Sequence, residues 1–571
     1  MKNRRYVVWI LLFFFLLAVA AIVSFLYFDV VKRPVQVRAH SYLEIDLGGE
    51  IQEIVPADFL SSLLPVAAPL AMNDLWMNIR KAKKDDRIDA LFLRLNLMLC
   101  DWAKVNEIRE AILDFRKSGK KAYAYIEEAP DFDKEYYLAT ACDRIILHPL
   151  GWLGINGIGG YIPFFKNSLD KLGIQAEFEH VEEYKTAYNS FTEKGMTPAH
   201  REMMESIYGD LFDQYVETAA GARGMTGDEY KTLIHRAFFQ GENAKSAGLV
   251  DEVLFEDEVL NMIRGRGPSL RRIEFDEYTR VRPSSLGMGT GRKIALIYGI
   301  GPILSGESTI SSMGSATVAR WIRRARQDKS IAAIVFRVDS PGGSSVASDV
   351  IWRETFLAKK EKPFVVSMSD VAGSGGYWIS MAAHKIIAQP ETLTGSIGVL
   401  AGKISMAGLY EKLGVTTDKL VYGDKADVFS TFRGFTPEER KILKDEILWT
   451  YDKFLTKAAE GRNLAKEEVD RSGKGRVWTG RQALDLKLID GLGGLSEAIE
   501  AAKKLAGIPA GEDVRLVVWP RKRSLWSAFL GRGGDNRNFE LPRDADKALA
   551  ALRLMQKNLI WALMPFAVEP R

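Results

Sequence analysis

Two glycine-rich turns hold the residues best suited to chemistry. Asp339-Ser-Pro-Gly-Gly-Ser344 and Ala372-Gly-Ser-Gly-Gly376 each follow a short apolar run that reads as a strand. Glycine allows a sharp bend and lets backbone N–H groups face a ligand. The second turn sets Ser374 at the start of a helix beginning near Tyr377. That placement resembles a nucleophile elbow, although Ala372 stands where G-x-S-x-G has its first glycine. The Gly375 N–H would lie beside the serine, and Gly342 or Gly343 would supply a second donor. Two such donors stabilise a tetrahedral oxyanion by about 3 kcal/mol apiece. One glycine-rich turn alone is more often a packing device. Two at successive strand ends, where α/β proteins place their sites, argue for chemistry. A serine also needs a base. His384 lies ten residues further on, nearly three turns along what reads as the following helix, and is poorly placed. A lysine serves if desolvation lowers its pKa, and sequence chemistry alone does not select one.

The elements that must position these turns are strands and helices in alternation. Lys293–Tyr298, Ile331–Val338 and Phe364–Met368 read as buried strands, and Ala316–Asp328 and Val346–Lys359 as helices. Long helices are predicted near 198–222 and 437–461. Alternation of this kind implies βαβ units and an α/β fold. The chain is also duplicated. At a shift of 243, Ile79, Arg80, Ala82, Asp85, Ile88 and Arg94 match Ile322, Arg323, Ala325, Asp328, Ile331 and Arg337. At 241, Tyr136, Pro149, Gly154 and Gly157 match Tyr377, Pro390, Gly395 and Gly398. At 239, Gly241, Ala244, Leu249 and Asp251 match Gly480, Ala483, Leu488 and Asp490. Drift this slow means short loop deletions in a true repeat. The expected division is 1–40 (cytoplasmic tip, anchor and connector), 41–265 (first repeat), 266–290 (Gly/Pro/Ser/Arg-rich linker), 291–510 (second repeat) and 511–571 (C-terminal extension). The repeat serves as an internal control. Asp133 aligns with Ser374, and Leu97-Met-Leu-Cys100 with Ser340-Pro-Gly-Gly343. The first half has lost the serine and the glycine turn.

Composition excludes several classes. Of 571 residues, 78 are Lys or Arg and 74 Asp or Glu, a net charge of +4 that asks for no nucleic acid or acidic partner. Cys100 and Cys142 rule out a disulfide framework, and the six histidines show no metal-ligand spacing. Tyr6–Phe28 is 23 residues without charge, Gly or Pro, preceded by three cations. As a helix it spans about 34 Å. It reads as an uncleaved transmembrane anchor with a cytoplasmic N-terminus, because a cleaved signal has a shorter apolar core and a small-x-small site. Residues 548–567 suit an amphipathic surface or partner-binding helix.

Ser340-Pro-Gly-Gly-Ser344, Ala372-Gly-Ser-Gly-Gly-Tyr-Trp-Ile-Ser380 and Leu393-Thr-Gly-Ser-Ile-Gly398 together resemble signal peptide peptidase A, and most closely its long, membrane-anchored, duplicated form. The resemblance runs from the anchor to about residue 510. It implies tandem ClpP/crotonase-like βαβ units after one transmembrane helix, and a Ser–Lys protease without metal or organic cofactor. It further implies Ser374 as nucleophile and Lys185, in Tyr184-Lys-Thr-Ala187, as general base. Ser396, 22 residues past Ser374, would orient that lysine. Gly342, Gly343 and Gly375 fall in the matching turns as oxyanion donors. In short family members serine and lysine share one repeat. Asp424 aligns with Lys185 here, so its neighbour Lys425 is a rival base. The implied substrates are cleaved signal peptides and other apolar peptides, and the implied assembly is a homotetramer, with sites completed within or between chains. The implied location is the bacterial inner membrane, with catalytic domains in the periplasm. A catalytically silent peptide-binding membrane scaffold and an acyl-thioester enzyme are the competing readings.

Overall fold

The apolar runs assemble into two parallel sheets, one for each repeat. The computed structural model describes residues 35–55, 69–129, 131–264, 270–309, 311–520 and 561–563. The Tyr6–Phe28 run lies outside the described residues, among which no helix is long and apolar enough to cross a membrane. In the first sheet the order is Arg271–Glu274, Ser41–Gln52, Ile88–Leu99, Lys121–Ile126, Arg144–Leu147 and Glu252–Val253. In the second it is Val477–Thr479, Leu393–Gly395, Phe364–Gly373, Ile331–Ser340, Lys293–Ile300 and Arg515–Trp519, with Lys385–Ala388 also on Phe364–Gly373. All of these neighbours are parallel except Val477–Thr479. Such strands, covered on both faces, are apolar throughout, and Ile334, Val335, Phe336, Val365 and Val366 are fully buried.

The duplication is visible atom by atom. The Tyr136 hydroxyl donates to the Leu249 carbonyl at 2.8 Å, and the matching Tyr377 hydroxyl donates to Leu488 at 3.0 Å. Asp251 accepts from the Ile145 N–H at 2.7 Å, and Asp490 from the Ile386 N–H at 2.8 Å. The long helices are Pro198–Arg223 and Pro437–Arg462. Thr197 and Thr436 cap them and a proline opens each, since the first turn's free N–H groups need a side-chain acceptor and proline lacks one to lose.

Two expectations need correction. The span 266–290, read as a linker, contributes the edge strand Arg271–Glu274, paired with Ser41–Glu44, and the helix Phe275–Thr279. The Lys81 amine fastens the same span by donating to the carbonyls of Tyr278 (2.8 Å) and Val281 (3.0 Å). The equivalent edge strand of the second sheet, Arg515–Trp519, extends that repeat beyond residue 510. Of the 548–567 segment only Trp561–Leu563 is described, and it is a strand rather than a helix. Its place is a third, mixed sheet of Met313–Gly314, Ile303–Leu304, Gly342–Ser344, Trp561–Leu563, Leu400–Ser405 and Gln175–His180. The last two are antiparallel partners, from Leu400 opposite His180 to Ser405 opposite Gln175. One strand from each repeat thus lies side by side.

Buried charge joins the repeats elsewhere. The Arg337 guanidinium donates to both Glu53 oxygens at 2.9 Å and to Glu107 at 2.6 Å, with all three side chains buried. Its counterpart Arg94 stays partly exposed, against Glu44 and Glu256. Removing one partner of a buried pair strands the other charges without solvent. Arg337→Met is therefore expected to lower unfolding stability by about 3–5 kcal/mol, read as a drop in the denaturant midpoint. An unchanged midpoint would show that Glu53 and Glu107 find other compensation.

Candidate active site

Ser374 sits where the strand Phe364–Gly373 gives way to the short helix Gly375–Ser380. Its backbone is held at φ 53°, ψ −109°, a conformation costly for a residue with a Cβ. The turn is pinned on both sides. The Ser374 N–H donates to Gly395 at 2.8 Å, and the Trp378 N–H donates to the Ser374 carbonyl at 2.8 Å. Gly375 and Gly376 let neighbouring backbone close in. A Cβ on Gly375 would lie 3.0 Å from Gly342 Cα and 3.1 Å from Gly343 N, and one on Gly376 would lie 2.6 Å from the Ser340 carbonyl oxygen. The two glycine turns singled out in the sequence therefore meet. As the first residue of its helix, Gly375 has an N–H with no intrahelical acceptor. The Gly342 N–H is engaged by Ser340 Oγ at 3.2 Å.

Lys185 comes from the other repeat, 189 residues away, yet its Nζ is 2.8 Å from Ser374 Oγ. Nζ is also 3.0 Å from Ser396 Oγ, and it donates to the Ser396 carbonyl at 3.1 Å. All three side chains are fully buried. The cross-repeat strand pair brings the lysine there: Gln175–His180 runs along Leu400–Ser405, and the Val181 N–H donates to the Val399 carbonyl at 3.1 Å. Gly475, at φ 84°, receives the Lys185 backbone so closely that a Cβ there would lie 2.5 Å from Lys185 N. Arg476 stacks over the Tyr184 ring at 4.8 Å and pairs with Glu202, which accepts from the Tyr184 hydroxyl at 2.9 Å. Burial alone pushes the Lys185 amine well below the usual lysine range, because the charged form has lost its water. A neutral amine can take a proton from a hydroxyl.

The other candidate bases lie elsewhere. Lys425 is solvent-exposed and pairs with Glu438 at 2.9 Å, a contact that raises its pKa and keeps it charged. His384 follows the end of the Gly375–Ser380 helix, which stops after six residues, and its Nδ1 accepts from the Phe364 N–H at 3.1 Å. Cys100 and Cys142 are free thiols whose burial raises their pKa, Cys142 to about 12.

In the first repeat the equivalent place is filled by carboxylates. Asp133 accepts from the N–H groups of Asn156 and Gly157, each at 3.1 Å, and burial lifts its pKa to about 6. Glu135 accepts from the Met98 N–H at 2.6 Å. Backbone donors that border a serine in one repeat thus meet the protein's own acids in the other. Sequence alignment showed the serine missing, whereas Glu135 went unnoticed because its acceptor role depends on a contact 37 residues back.

A buried hydroxyl, a desolvated amine and converging backbone donors define the machinery of a serine hydrolase. The chain matches Peptidase family S49 over residues 114–266 and again over 357–509. It belongs to that family, with the family's domain duplicated, and is a serine peptidase. Among its relatives is the chloroplastic serine protease SPPA of Arabidopsis thaliana, 34% identical over 84% of this chain and 72% of the relative. Protease 4 of Haemophilus influenzae is 34% identical over 76% of this chain and 72% of its own length. Among solved structures, a mutant form of the 1510-N membrane-bound stomatin-specific protease aligns at 17% identity with TM-score 0.27, over 40% of this chain and 98% of that one.

Proposed function

We propose that this serine peptidase is a membrane-anchored endopeptidase that degrades cleaved signal peptides and other apolar peptides with a Ser–Lys dyad divided between the repeats. Each repeat is of the ClpP/crotonase class, the anchor is Tyr6–Phe28, and the catalytic halves face the periplasm from the bacterial inner membrane, as a homotetramer. The observation that carries the reading is the 2.8 Å approach of Lys185 Nζ to Ser374 Oγ in a buried site, within one chain.

Neutral Lys185 takes the Ser374 proton as Oγ attacks the peptide carbonyl. Ser396 Oγ, 3.0 Å from the amine, holds it on line. The negative charge develops on an oxygen facing the Gly343 and Gly375 N–H groups, with Gly342 shaping the turn. The lysine then returns its proton to the leaving amine, and an acyl-enzyme remains on Ser374. Water, deprotonated by the same amine, releases the product.

The test is a fluorophosphonate serine probe applied to the full chain in bilayers, alongside a synthetic signal peptide. Covalent labelling mapped to Ser374, with cleavage of the peptide inside its apolar stretch, is the expected result. Labelling at another serine, or none, overturns the reading. Labelling at Ser374 without cleavage of any apolar peptide leaves the nucleophile standing and rejects the substrate class.

A further inference from the structure

We propose that the chain's own C-terminal strand, Trp561–Leu563, occupies the peptide slot beside Ser374 as a tethered competitor of substrate, an inference that rests on the reading of Ser374 as nucleophile. The strand runs antiparallel to Gly342–Ser344, with Leu563 opposite Gly342, Ala562 opposite Gly343 and Trp561 opposite Ser344. On its other side Trp561 is antiparallel to Leu400. Take the strand away and Gly342–Ser344 and Leu400–Ser405 become two facing edges, each with unpaired backbone groups. An extended peptide added between them would satisfy both rows at once.

The slot is placed for catalysis. One wall, Gly342 and Gly343, is the turn that packs on Gly375, within 3.0–3.1 Å of where a Gly375 Cβ would lie. The other wall, Leu400–Ser405, is the strand that also holds Gln175–His180 and so leads to Lys185. Whatever lies in the slot runs past the Ser374 hydroxyl. Gly343 makes the arrangement possible, because a Cβ there would strike the Ile303 carbonyl oxygen at 2.2 Å. The occupant also has the chemistry of the proposed substrates. Asn558 to Phe566 (NLIWALMPF) is uncharged and apolar, and Pro565 cannot extend the ladder. Main-chain pairing discriminates little between sequences, so an apolar peptide from outside and the internal segment compete for one place. A tethered ligand acts at an effective concentration in roughly the millimolar range, so a weak strand suffices to hold the slot until a better-fitting peptide displaces it.

The test uses the full chain and its Ala562→Pro variant. Proline removes an N–H, and a strand flanked on both sides gives every N–H to one neighbour or the other. Hydrogen exchange of the 340–346 and 399–405 segments should quicken by about tenfold in the variant, and so should probe labelling of Ser374. Synthetic NLIWALMPF added to the variant should restore protection and slow labelling. Exchange and labelling unchanged by the substitution overturn the proposal, as does failure of the peptide to restore protection. Wild-type labelling that slows as protein concentration rises also overturns it, since the occupant would then come from a second copy. Faster exchange in the variant with Ser374 unlabelled in both proteins rejects the nucleophile reading and leaves the slot occupancy standing.

Discussion

Lys185→Ala and Ser374→Ala should each reduce turnover by about 10³-fold or more, while the protein keeps its fold. Without the amine, the hydroxyl has no base within reach, because Lys425 is paired with Glu438 at the surface and His384 is committed to the Phe364 amide. Without the hydroxyl, the amine has nothing to activate. The two act as a unit, so the double variant should be little worse than either single one. Lys425→Ala should leave activity within a few-fold, and rates with an apolar peptide substrate check all four. Loss in Lys425→Ala with survival in Lys185→Ala would place a complete dyad in the second repeat. The same geometry sets a cost in stability. In the folded chain the Lys185 pKa lies well below the free value, so between the folded pKa and 10.5 the unfolded chain binds the extra proton. Stability therefore rises with pH through that window, by about 1.4 kcal/mol per unit at most, and falls as pH drops. Lys185→Met should be inactive and yet more stable than wild type near neutral pH.

Gly475→Ala should cost about 10²-fold in kcat, although residue 475 bears no reactive group. Its φ of 84° already disfavours a side chain, and an added Cβ would lie 2.5–2.6 Å from Lys185 N, Cα and Cβ. Those atoms move only if the lysine moves, and Nζ is held to Ser374 and Ser396 at 2.8–3.1 Å. A displacement near 1 Å breaks that alignment. Gly221→Ala, in the helix Pro198–Arg223 with open space around the added methyl, is the control and should leave kcat unchanged. Equal kcat in Gly475→Ala and wild type would mean that the lysine segment adapts without losing its reach.

What the sequence disclosed depended on how local the signal was. The Ser374 turn was legible because glycines on both sides of one serine, after an apolar strand, have few other uses. The duplication and the long helices were legible from repeated residues, and the opening Thr-Pro pairs at 197–198 and 436–437 now explain where those helices start. The site's other half was not local. Lys185 stands in an unremarkable segment, and the pairing of Gln175–His180 with Leu400–Ser405 that delivers it joins two short strands of mixed polarity. Only family resemblance pointed to it. Arg271–Glu274 was read as linker because its charge masks a strand that buries only Ile273. Trp561–Leu563 was hidden in a stretch whose leucines and alanines repeat at helical spacing, and its strand character comes from the two edges beside it.

The central claim is that a neutral Lys185 drives attack by Ser374, and the pH dependence of Ser374 acylation in a single turnover tests it most directly. Acylation should rise with pH along one limb and level off, with an apparent pKa well below 10.5, as the buried amine loses its proton. In Lys185→Ala that limb should vanish and leave a slow rate that climbs only with hydroxide. An unchanged limb in Lys185→Ala, or a wild-type rate that is flat across neutral pH and rises only near 10.5, would contradict the account.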